Sequence, residues 1–448
     1  MAALGINQDT IAALATPPGN GGVAVIRISG TVVPEIIAQL IRKKLPARTA
    51  IYTSFLDADN VIIDSGIALY FPAPASFTGE HVLELHGHGG SVISNMLLKR
   101  VLALGARLAQ PGEFSQRAFL NNKIDLVQAE AIADLIVSHS EQAVRSAQQS
   151  LQGVFSKQIN TLVDELTELR IYIEAAIDFV DEEINFLTDG VVEQRLTRLL
   201  QQVTTIGQTA QQGRLLREGI SLVLAGKPNT GKSSLLNALA GHDAAIVTDI
   251  PGTTRDVLRE RIQIDGLPIN IIDTAGLRES QDVVEQEGIR RARREINNAD
   301  IVLFMQDVRS PEFAEIEVLP ERIKRIHVFN KIDLVGVAPS VVEIETGAEC
   351  FISVKTGAGV ALLTEQIKKL VGFQSQASVF MARTRHLDAL AQAQQHLEQA
   401  LAQLKTHYAF ELVAEELRIA QQHLGEITGQ VSSDELLGKI FASFCIGK

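Results

Sequence analysis

The stretch Gly226-Lys227-Pro228-Asn229-Thr230-Gly231-Lys232-Ser233 fits G-x-x-x-x-G-K-[ST] at every fixed position. It follows the apolar run Ser221–Ala225, which reads as a strand, and precedes Ser234–Ala240, which reads as a helix. Strand, glycine loop and helix in that order form a phosphate-binding loop. Glycine is needed because a Cβ would obstruct the tight wrap of the backbone. Amide N–H groups and the positive end of the helix then face the anion. In such a loop Lys232 reaches the β- and γ-phosphates as a catalytic group and the Ser233 hydroxyl coordinates Mg2+. Asn229, Thr230, Gly231 and Ser234 complete the phosphate-binding set.

Two downstream signals select GTP over ATP. Asp273-Thr274-Ala275-Gly276 ends an apolar run, so Asp273 can hold Mg2+ through water and the Gly276 amide can sense the γ-phosphate. Asn330-Lys331-Ile332-Asp333 ends another. A carboxylate at Asp333 can accept both guanine N–H groups, which adenine lacks. Asn330 and Lys331 brace the loops and the base, and Ser353-Val354-Lys355 is placed against the guanine edge. Between the phosphate loop and Asp273 lies Thr248-Asp249-Ile250-Pro251-Gly252-Thr253-Thr254, the position of a switch loop. Thr254 is the threonine expected to complete the Mg2+ shell. Leu277 follows Gly276, where Ras-like enzymes use a glutamine to orient water. Either hydrolysis is very slow or another polar group does that work, with Glu279, Asp282, Glu285 and Glu287 as the candidates.

The chain of 448 residues is long enough for two to four domains. The texture changes three times. Residues 1–123 mix short β-like runs, such as Val23–Ile28 and Ile67–Phe71, with turns at Pro17-Pro18-Gly19 and Gly87-His88-Gly89-Gly90, and read as an α+β domain. Residues 124–217 carry a helical stripe of Ile159, Leu162, Leu166, Leu169 and Ile173. Residues 218–373 alternate strands (Ser221–Ala225, Ile269–Asp273, Ile301–Met305, His327–Asn330) with helices, which implies a mostly parallel sheet. Residues 374–448 return to helix, with Leu387, Leu390, Leu397, Leu401 and Leu404 and again Leu412–Leu417. The expected fold class is multidomain α/β and α: an α+β N-terminal domain, a discontinuous helical bundle and an inserted P-loop GTPase domain. A separate C-terminal bundle is the alternative.

Composition narrows the function classes. A net charge of −12 is the reverse of what a free-standing nucleic-acid binder carries. The two cysteines, Cys350 and Cys445, have no metal-ligand spacing and no disulfide framework. No apolar run is long enough to span a bilayer, and the N-terminus lacks the layout of a signal peptide. The expected location is the cytoplasm, with no membrane partner.

With these motifs in place, the chain resembles the MnmE (TrmE) family of tRNA-modifying GTPases. The resemblance runs over essentially the whole length. It rests on Ala15-Thr-Pro-Pro-Gly19, Ser76-Phe-Thr-Gly-Glu80, Gly226–Ser233, Asp249–Asp256, Asp273–Glu279 and the terminal Phe444-Cys445-Ile446-Gly447-Lys448. It implies an N-terminal folate-binding domain through which a homodimer forms. It also implies work with the FAD-containing protein MnmG, in a heterotetramer or larger assembly, on C5 of the wobble uridine of certain tRNAs. A tetrahydrofolate derivative, 5-formyl or 5,10-methylene, would be the one-carbon cofactor. The acidic charge is then no obstacle, because the partner can supply tRNA contact. The family's G domain is stimulated by K+ and by G-domain dimerisation. Its K+ ligands map to Asn229, Thr248, Ile250 (through its carbonyl) and Thr253, and its water-positioning glutamate to Glu285. The folate site maps to Arg27, Glu84, Lys123 and Lys448.

The residues themselves are compatible with these assignments without requiring them. Asn229 after Pro228 is also an ordinary turn residue. Glu84 is also just a polar residue alternating with Val82, Leu83 and Leu85 in a strand. Cys445 could be a nucleophile near a flexible end, whereas Phe441, Phe444 and Ile446 point to a buried anchoring segment. Pro251 fixes φ and removes an N–H in a loop that must reorder. Two other classes compete: an Era- or Der-like ribosome-assembly GTPase, which would carry a basic RNA-binding domain, and a mechanical dimer with no substrate site of its own.

Overall fold

The computed structural model describes residues 9–138, 140–178, 190–242, 259–273, 299–310, 320, 323–374, 379–407, 409–431 and 433–447. They form two compact units, each discontinuous in sequence. One takes in the chain up to Ile136, Leu151–Ile171 and the part from Arg418 onward; the other takes in Val137–Ser150 and Tyr172–Leu417.

The first unit is built on a six-stranded sheet. Its strands are β1 (Thr10–Leu14), β2 (Gly21–Ser29), β3 (Ile51–Leu56), β4 (Ile62–Phe71), β5 (Val82–Gly89) and β6 (Ala106–Leu108), in the order β3-β4-β5-β2-β1-β6. Every pair is antiparallel except β1 with β6. Strand alternation sends Ile26, Ile28, Leu83, Leu85, Ala68 and Phe55 to one side. There α1 (Val33–Leu40) and α2 (Ser91–Ala103) close a core with Val33, Ile36, Leu40, Leu97 and Val101. The other side is covered only in part. Phe114 of α3 (Glu113–Leu120) packs on Ile11 and Ala13 of β1, while Tyr52, Ile67 and Val23 stand exposed.

One turn expectation is corrected here. Gly87-His88-Gly89 is not a turn but the end of β5, and only Gly90 leaves the strand, as the N-cap of α2. The glycines are there because other groups need their Cβ space: the Asp64 carboxylate beside Gly87 and the Gly21 backbone beside Gly89.

The second unit holds a seven-stranded sheet in the order β12-β13-β11-β10-β7-β9-β8. Its strands are β7 (Ile220–Gly226), β8 (Arg259–Ile264), β9 (Leu267–Asp273), β10 (Ile301–Asp307), β11 (Lys324–Asn330), β12 (Ser340–Ile344) and β13 (Gly347–Phe351). The five central strands are parallel and the two edge strands antiparallel. The near-continuous apolar run of β7 follows from burial on both faces. Leu222 and Leu224 join the cluster that includes Leu235 and Leu239 of α8 (Lys232–His242) and Leu363 and Ile367 of α9 (Val360–Leu370). Val223 and Ala225 face the opposite cluster with Val302, Phe304 and Ile272.

Helices α4 (Leu126–Val137), α5 (Glu141–Leu151), α6 (Val154–Asp178) and α7 (Val191–Glu218) precede this sheet; α10 (Thr384–His407), α11 (Phe410–Thr428) and α12 (Asp434–Ala442) follow it. Helices from the two sides pair. Arg170 of α6 donates to Gln421 of α11 at 2.7 Å, and Lys405 of α10 meets Glu193 of α7 at 2.9 Å. Within each unit, helices from before and after the sheet are thus partners, and the α/β domain is inserted in the chain between helical segments, as expected. Ile159, Leu162, Leu166, Leu169 and Ile173 are all buried. In α10, Leu390, Leu397 and Leu404 are buried, but Leu387 and Leu401 lie at the margin because Ala389, Ala393 and Ala400 carry the centre of the stripe.

Candidate functional site

The nucleotide motifs converge at the ends of the parallel strands. A parallel sheet buried on both faces leaves only its ends for ligands. Gly226 closes β7 at φ +146° and Gly231 precedes α8 at φ +103°, both unfavourable for a residue with a Cβ. A Cβ on Gly231 would collide with Asn330 Nδ2, and one on Gly226 with the Met305 carbonyl. The loop is therefore a cradle whose shape depends on missing side chains. Lys232 is buried, and its ammonium donates to the carbonyls of Gly226 at 2.8 Å and Lys227 at 2.9 Å. Ser233 and Ser234 are exposed in the first turn of α8, and Asn229 is exposed at φ +63°.

Asn330 ties three segments together. Its Nδ2 donates to the Thr230 carbonyl at 2.8 Å, and its Oδ1 accepts from Val354 N at 3.0 Å and Lys331 N at 2.8 Å. Lys331, at φ +71°, donates to the Asn229 carbonyl at 2.8 Å and to Asp307 at 2.9 Å. Asp333 accepts from the Ser353 hydroxyl at 2.6 Å. The structure thus brings together Asn229, Thr230, Gly231, Lys232, Asn330, Lys331, Asp333, Ser353 and Val354, with Lys355 next in the chain. Asp307 was not signalled by the sequence. It ends β10, and hydrogen bonds from Arg309 and then Lys331 hold its carboxyl well below the usual carboxylate range. An acidic residue closing a strand that is parallel to the Asn330 strand was the available clue.

The remaining nucleotide-site expectations fall elsewhere. Thr248, Asp249, Ile250, Pro251, Gly252, Thr253, Thr254, Thr274, Ala275, Gly276, Leu277, Glu279, Asp282, Glu285 and Glu287 lie outside the described residues. For Asp273 the backbone is described, and it ends β9.

The second constellation stands on the six-stranded sheet. Arg27 of β2 and Glu84 of β5 are cross-strand partners, and Arg27 Nε donates to Glu84 Oε1 at 2.8 Å. Both are largely buried, with side chains 24% and 16% exposed. His86 Nε2 lies 3.3 Å from the other Glu84 oxygen. Arg27 sits about equally far from the rings of Phe77 and Phe114, 6.0 and 5.9 Å from their centroids. It also donates to the Gly447 carbonyl at 3.3 Å, which brings the chain's last described residue to the sheet. Lys123 is exposed beside Gly79; Lys448 lies outside the described residues.

The terminal segment is anchored through two of the three apolar residues expected to be buried. Phe441 and Phe444 are buried with Leu126, Ala129 and Leu437. Ile446 corrects that reading, since it is 57% exposed. Cys445 is exposed, and its carbonyl accepts from Gly112 N at 3.3 Å. Cys350, in contrast, is buried in β13, and burial pushes its thiol up to about 12.

Nearby, Arg117 is buried among three carboxylates: Asp9 at 2.8 Å, Glu113 at 2.9 Å and Glu80 at 3.2 Å. Glu80 in turn accepts from Ser29 at 2.7 Å. This network fixes the Ser76–Glu80 segment against β2. No local motif signals it, because its members come from four separate places in the chain.

Comparison with known families matches residues 126–445 to the MnmE helical domain and residues 10–123 to the GTP-binding protein TrmE N-terminus. Among solved structures, a variant of Era from Aquifex aeolicus bound to GDP·AlF4− is 25% identical, over 40% of this chain and 66% of that one, with a TM-score of 0.24. The G domain of the T. maritima FeoB iron transporter is 26% identical, over 34% of this chain and 98% of that one, with a TM-score of 0.23.

Proposed function

The chain belongs to the MnmE/TrmE family, and on that premise we propose that it is a K+-stimulated GTPase acting with MnmG and a tetrahydrofolate derivative. Together they install a (carboxymethyl)aminomethyl group at C5 of the wobble uridine of certain tRNAs. The chain acts as a homodimer, with Mg2+ and K+ at the nucleotide. The domain limits we propose are 1–123, 124–217, 218–373 and 374–448.

The observation that carries the GTP reading is the joining of Asp333 to Ser353 and of Asn330 to both Thr230 and Val354. It holds an aspartate carboxylate at the mouth of the loop where a base would lie. A purine with adjacent N–H donors suits that carboxylate, and adenine does not offer them. The glycine cradle at Gly226 and Gly231 suits phosphate, because a Cβ would fill it.

The residues then have these roles. Lys232 exchanges its two carbonyl partners for the β- and γ-phosphates, so its charge is already in place before the nucleotide arrives. Bound Mg2+ neutralises charge on the transferring phosphoryl group; Ser233, Thr254 and, through water, Asp273 would hold it. K+ would be held by Asn229, Thr248, Ile250 and Thr253, and would supply the positive charge that an arginine supplies elsewhere. Glu285 positions the attacking water. On the N-terminal sheet, Glu84 takes the aminopyrimidine edge of a pterin, and Arg27, Lys123 and Lys448 take its anionic tail.

The test is nucleoside analysis of tRNA from a strain lacking this gene, which should have lost the modified wobble uridine. Unaltered tRNA would remove the tRNA reading. Exchanging K+ for Na+ should slow GTP hydrolysis sharply, and equal rates would remove the cation reading.

A further inference from the structure

The loop between α1 and β3 runs against the charge of the chain as a whole. The net charge is −12, yet no acidic residue stands between Glu35 and Asp57, and Arg42, Lys43, Lys44 and Arg48 all fall in that stretch. All four basic residues are exposed. Among the described residues, the side chains of Arg42, Lys43 and Lys44 meet no carboxylate. Elsewhere in this unit the arginines are committed: Arg27 to Glu84, and Arg107 and Arg117 to Glu113.

The loop has a fixed backbone. Ile41 and Leu45 are buried in the core of the unit and pin it from within. Arg42 N donates to the Ile37 carbonyl at 3.3 Å, and Arg42 stands at φ +55°, the left-handed position beyond a helix end that glycine usually takes. Arg48 stands at φ +57°, and its N–H donates to the Tyr70 carbonyl at 2.8 Å. A residue with a Cβ is disfavoured at both places. Both nevertheless carry an arginine, so the loop keeps cationic heads where glycine would be the easier choice. Arg48 also joins the loop to the sheet-face site. Its guanidinium donates to the Ala75 carbonyl at 2.6 Å, and two residues further on the Phe77 ring lies 6.0 Å from Arg27. The basic loop and the segment beside Arg27 are therefore tied to each other.

We propose that Arg42, Lys43 and Lys44 hold the phosphate backbone of the tRNA whose uridine is modified. The proposal rests on the tRNA reading above. The chemistry of the loop favours a polyphosphate over other partners. Its larger apolar side chains, Ile41 and Leu45, are buried, so it offers no apolar anchor of the kind that carries a protein interface and nothing to insert into a lipid surface. Charge is what remains, and charge binds a nucleic acid by releasing its condensed counterions. The Arg42 fork suits a pair of phosphate oxygens, while the two lysines act as point charges. Backbone contacts of this kind carry no base information, so the loop positions the tRNA without selecting it. The acidic remainder of the chain adds direction, because it repels a polyanion that this loop attracts.

The experiment titrates the full chain, with its modifying partner, against unmodified tRNA from a strain lacking this gene, between about 50 and about 200 mM salt. It compares wild type with a triple variant (Arg42→Gln, Lys43→Gln, Lys44→Gln), with Arg42→Gly alone, and with a double variant (Arg145→Gln, Lys157→Gln) that removes exposed charge elsewhere. At the lower salt the triple variant should bind about tenfold more weakly or worse. Its plot of log affinity against log salt should flatten by about 2, since each lost phosphate contact removes about 0.7–0.9. Arg42→Gly should flatten the plot by about 1 and melt no lower than wild type, because glycine suits that backbone. GTP hydrolysis without tRNA should stay at the wild-type rate throughout. Unchanged affinity and slope in the triple variant, or an equal loss in the double variant, would overturn the loop assignment alone. So would intact tRNA affinity with lost association of the modifying partner, which would make the loop a protein contact. Absence of tRNA binding by the wild-type assembly would overturn the tRNA reading, and this proposal with it.

Discussion

The two sheets present their chemistry in opposite ways. The seven-stranded sheet is buried on both faces, so its candidate site lies at strand ends and is organised on main chain: the glycine loop, whose carbonyls at Gly226, Lys227, Asn229 and Thr230 hold Lys232, Lys331 and Asn330. The six-stranded sheet leaves part of one face open, and its candidate site is made of side chains in register across strands: Arg27, Glu84 and His86. The lesson concerns where information is stored. A main-chain site needs a contiguous motif with fixed spacing. A sheet-face site needs a register, and its members can come from anywhere in the chain.

The contrast between the two sheets is greatest at the phosphate loop. Lys232→Ala should lower GTP hydrolysis by about 100-fold or more, the usual loss when one preorganised charge is removed from a transferring group; phosphate release under saturating GTP measures it. A variant within a few-fold of wild type would mean that the main-chain cradle alone suffices. Asp333→Asn comes next. Two charge-assisted hydrogen bonds at about 1.5–3 kcal/mol each are at stake, so GTP affinity should fall by about 100-fold or more while xanthosine triphosphate gains. Unchanged GTP affinity in a competition assay would displace the base site from Asp333.

On the sheet face the expected loss is smaller, because contacts are shared among several side chains. Glu84→Gln should weaken tetrahydrofolate binding by about tenfold, one charge-assisted bond's worth, with GTP affinity as the control. The mildest effect is on acid stability. Asp9, Asp64 and Glu113 all have carboxyls held below their ordinary values. Burial opposes their charge, but hydrogen bonds from Arg107 and Arg117, or from His88 for Asp64, outweigh it. Depressed folded values mean stability that is present above about pH 4 and lost as pH falls through those values. Hydrogen exchange across that range should show the six-stranded sheet opening before the seven-stranded one. The depressed carboxylate of the other site, Asp307, has its strongest partner in the exposed Arg309, where screening by solvent discounts the pairing.

Much of the second sheet was legible beforehand. The strand runs at Ser221–Ala225, Ile269–Asp273, Ile301–Met305 and His327–Asn330 all fall within observed strands. An apolar stretch between turn residues signals a doubly buried strand well. Gly87-His88-Gly89 misled for the opposite reason. Glycine usually marks a turn, yet here it makes room inside a strand for the carboxylate of a neighbour 23 residues earlier, since Asp64 faces Gly87. No local pattern reports that.

The nucleotide class, the insertion of an α/β domain between helical segments and the family can all be read along the chain. Each depends on contiguous spacing or on a change of hydrophobic period, which a linear chain displays directly. Folding in three dimensions was needed to bring Arg27 to Glu84 and the Gly447 carbonyl, Arg117 to three carboxylates, and the Asp64 carboxylate into the space that Gly87 leaves. These depend on strand register and on which residue lacks a Cβ. Such properties are set by packing across the sheet and have no footprint in local sequence.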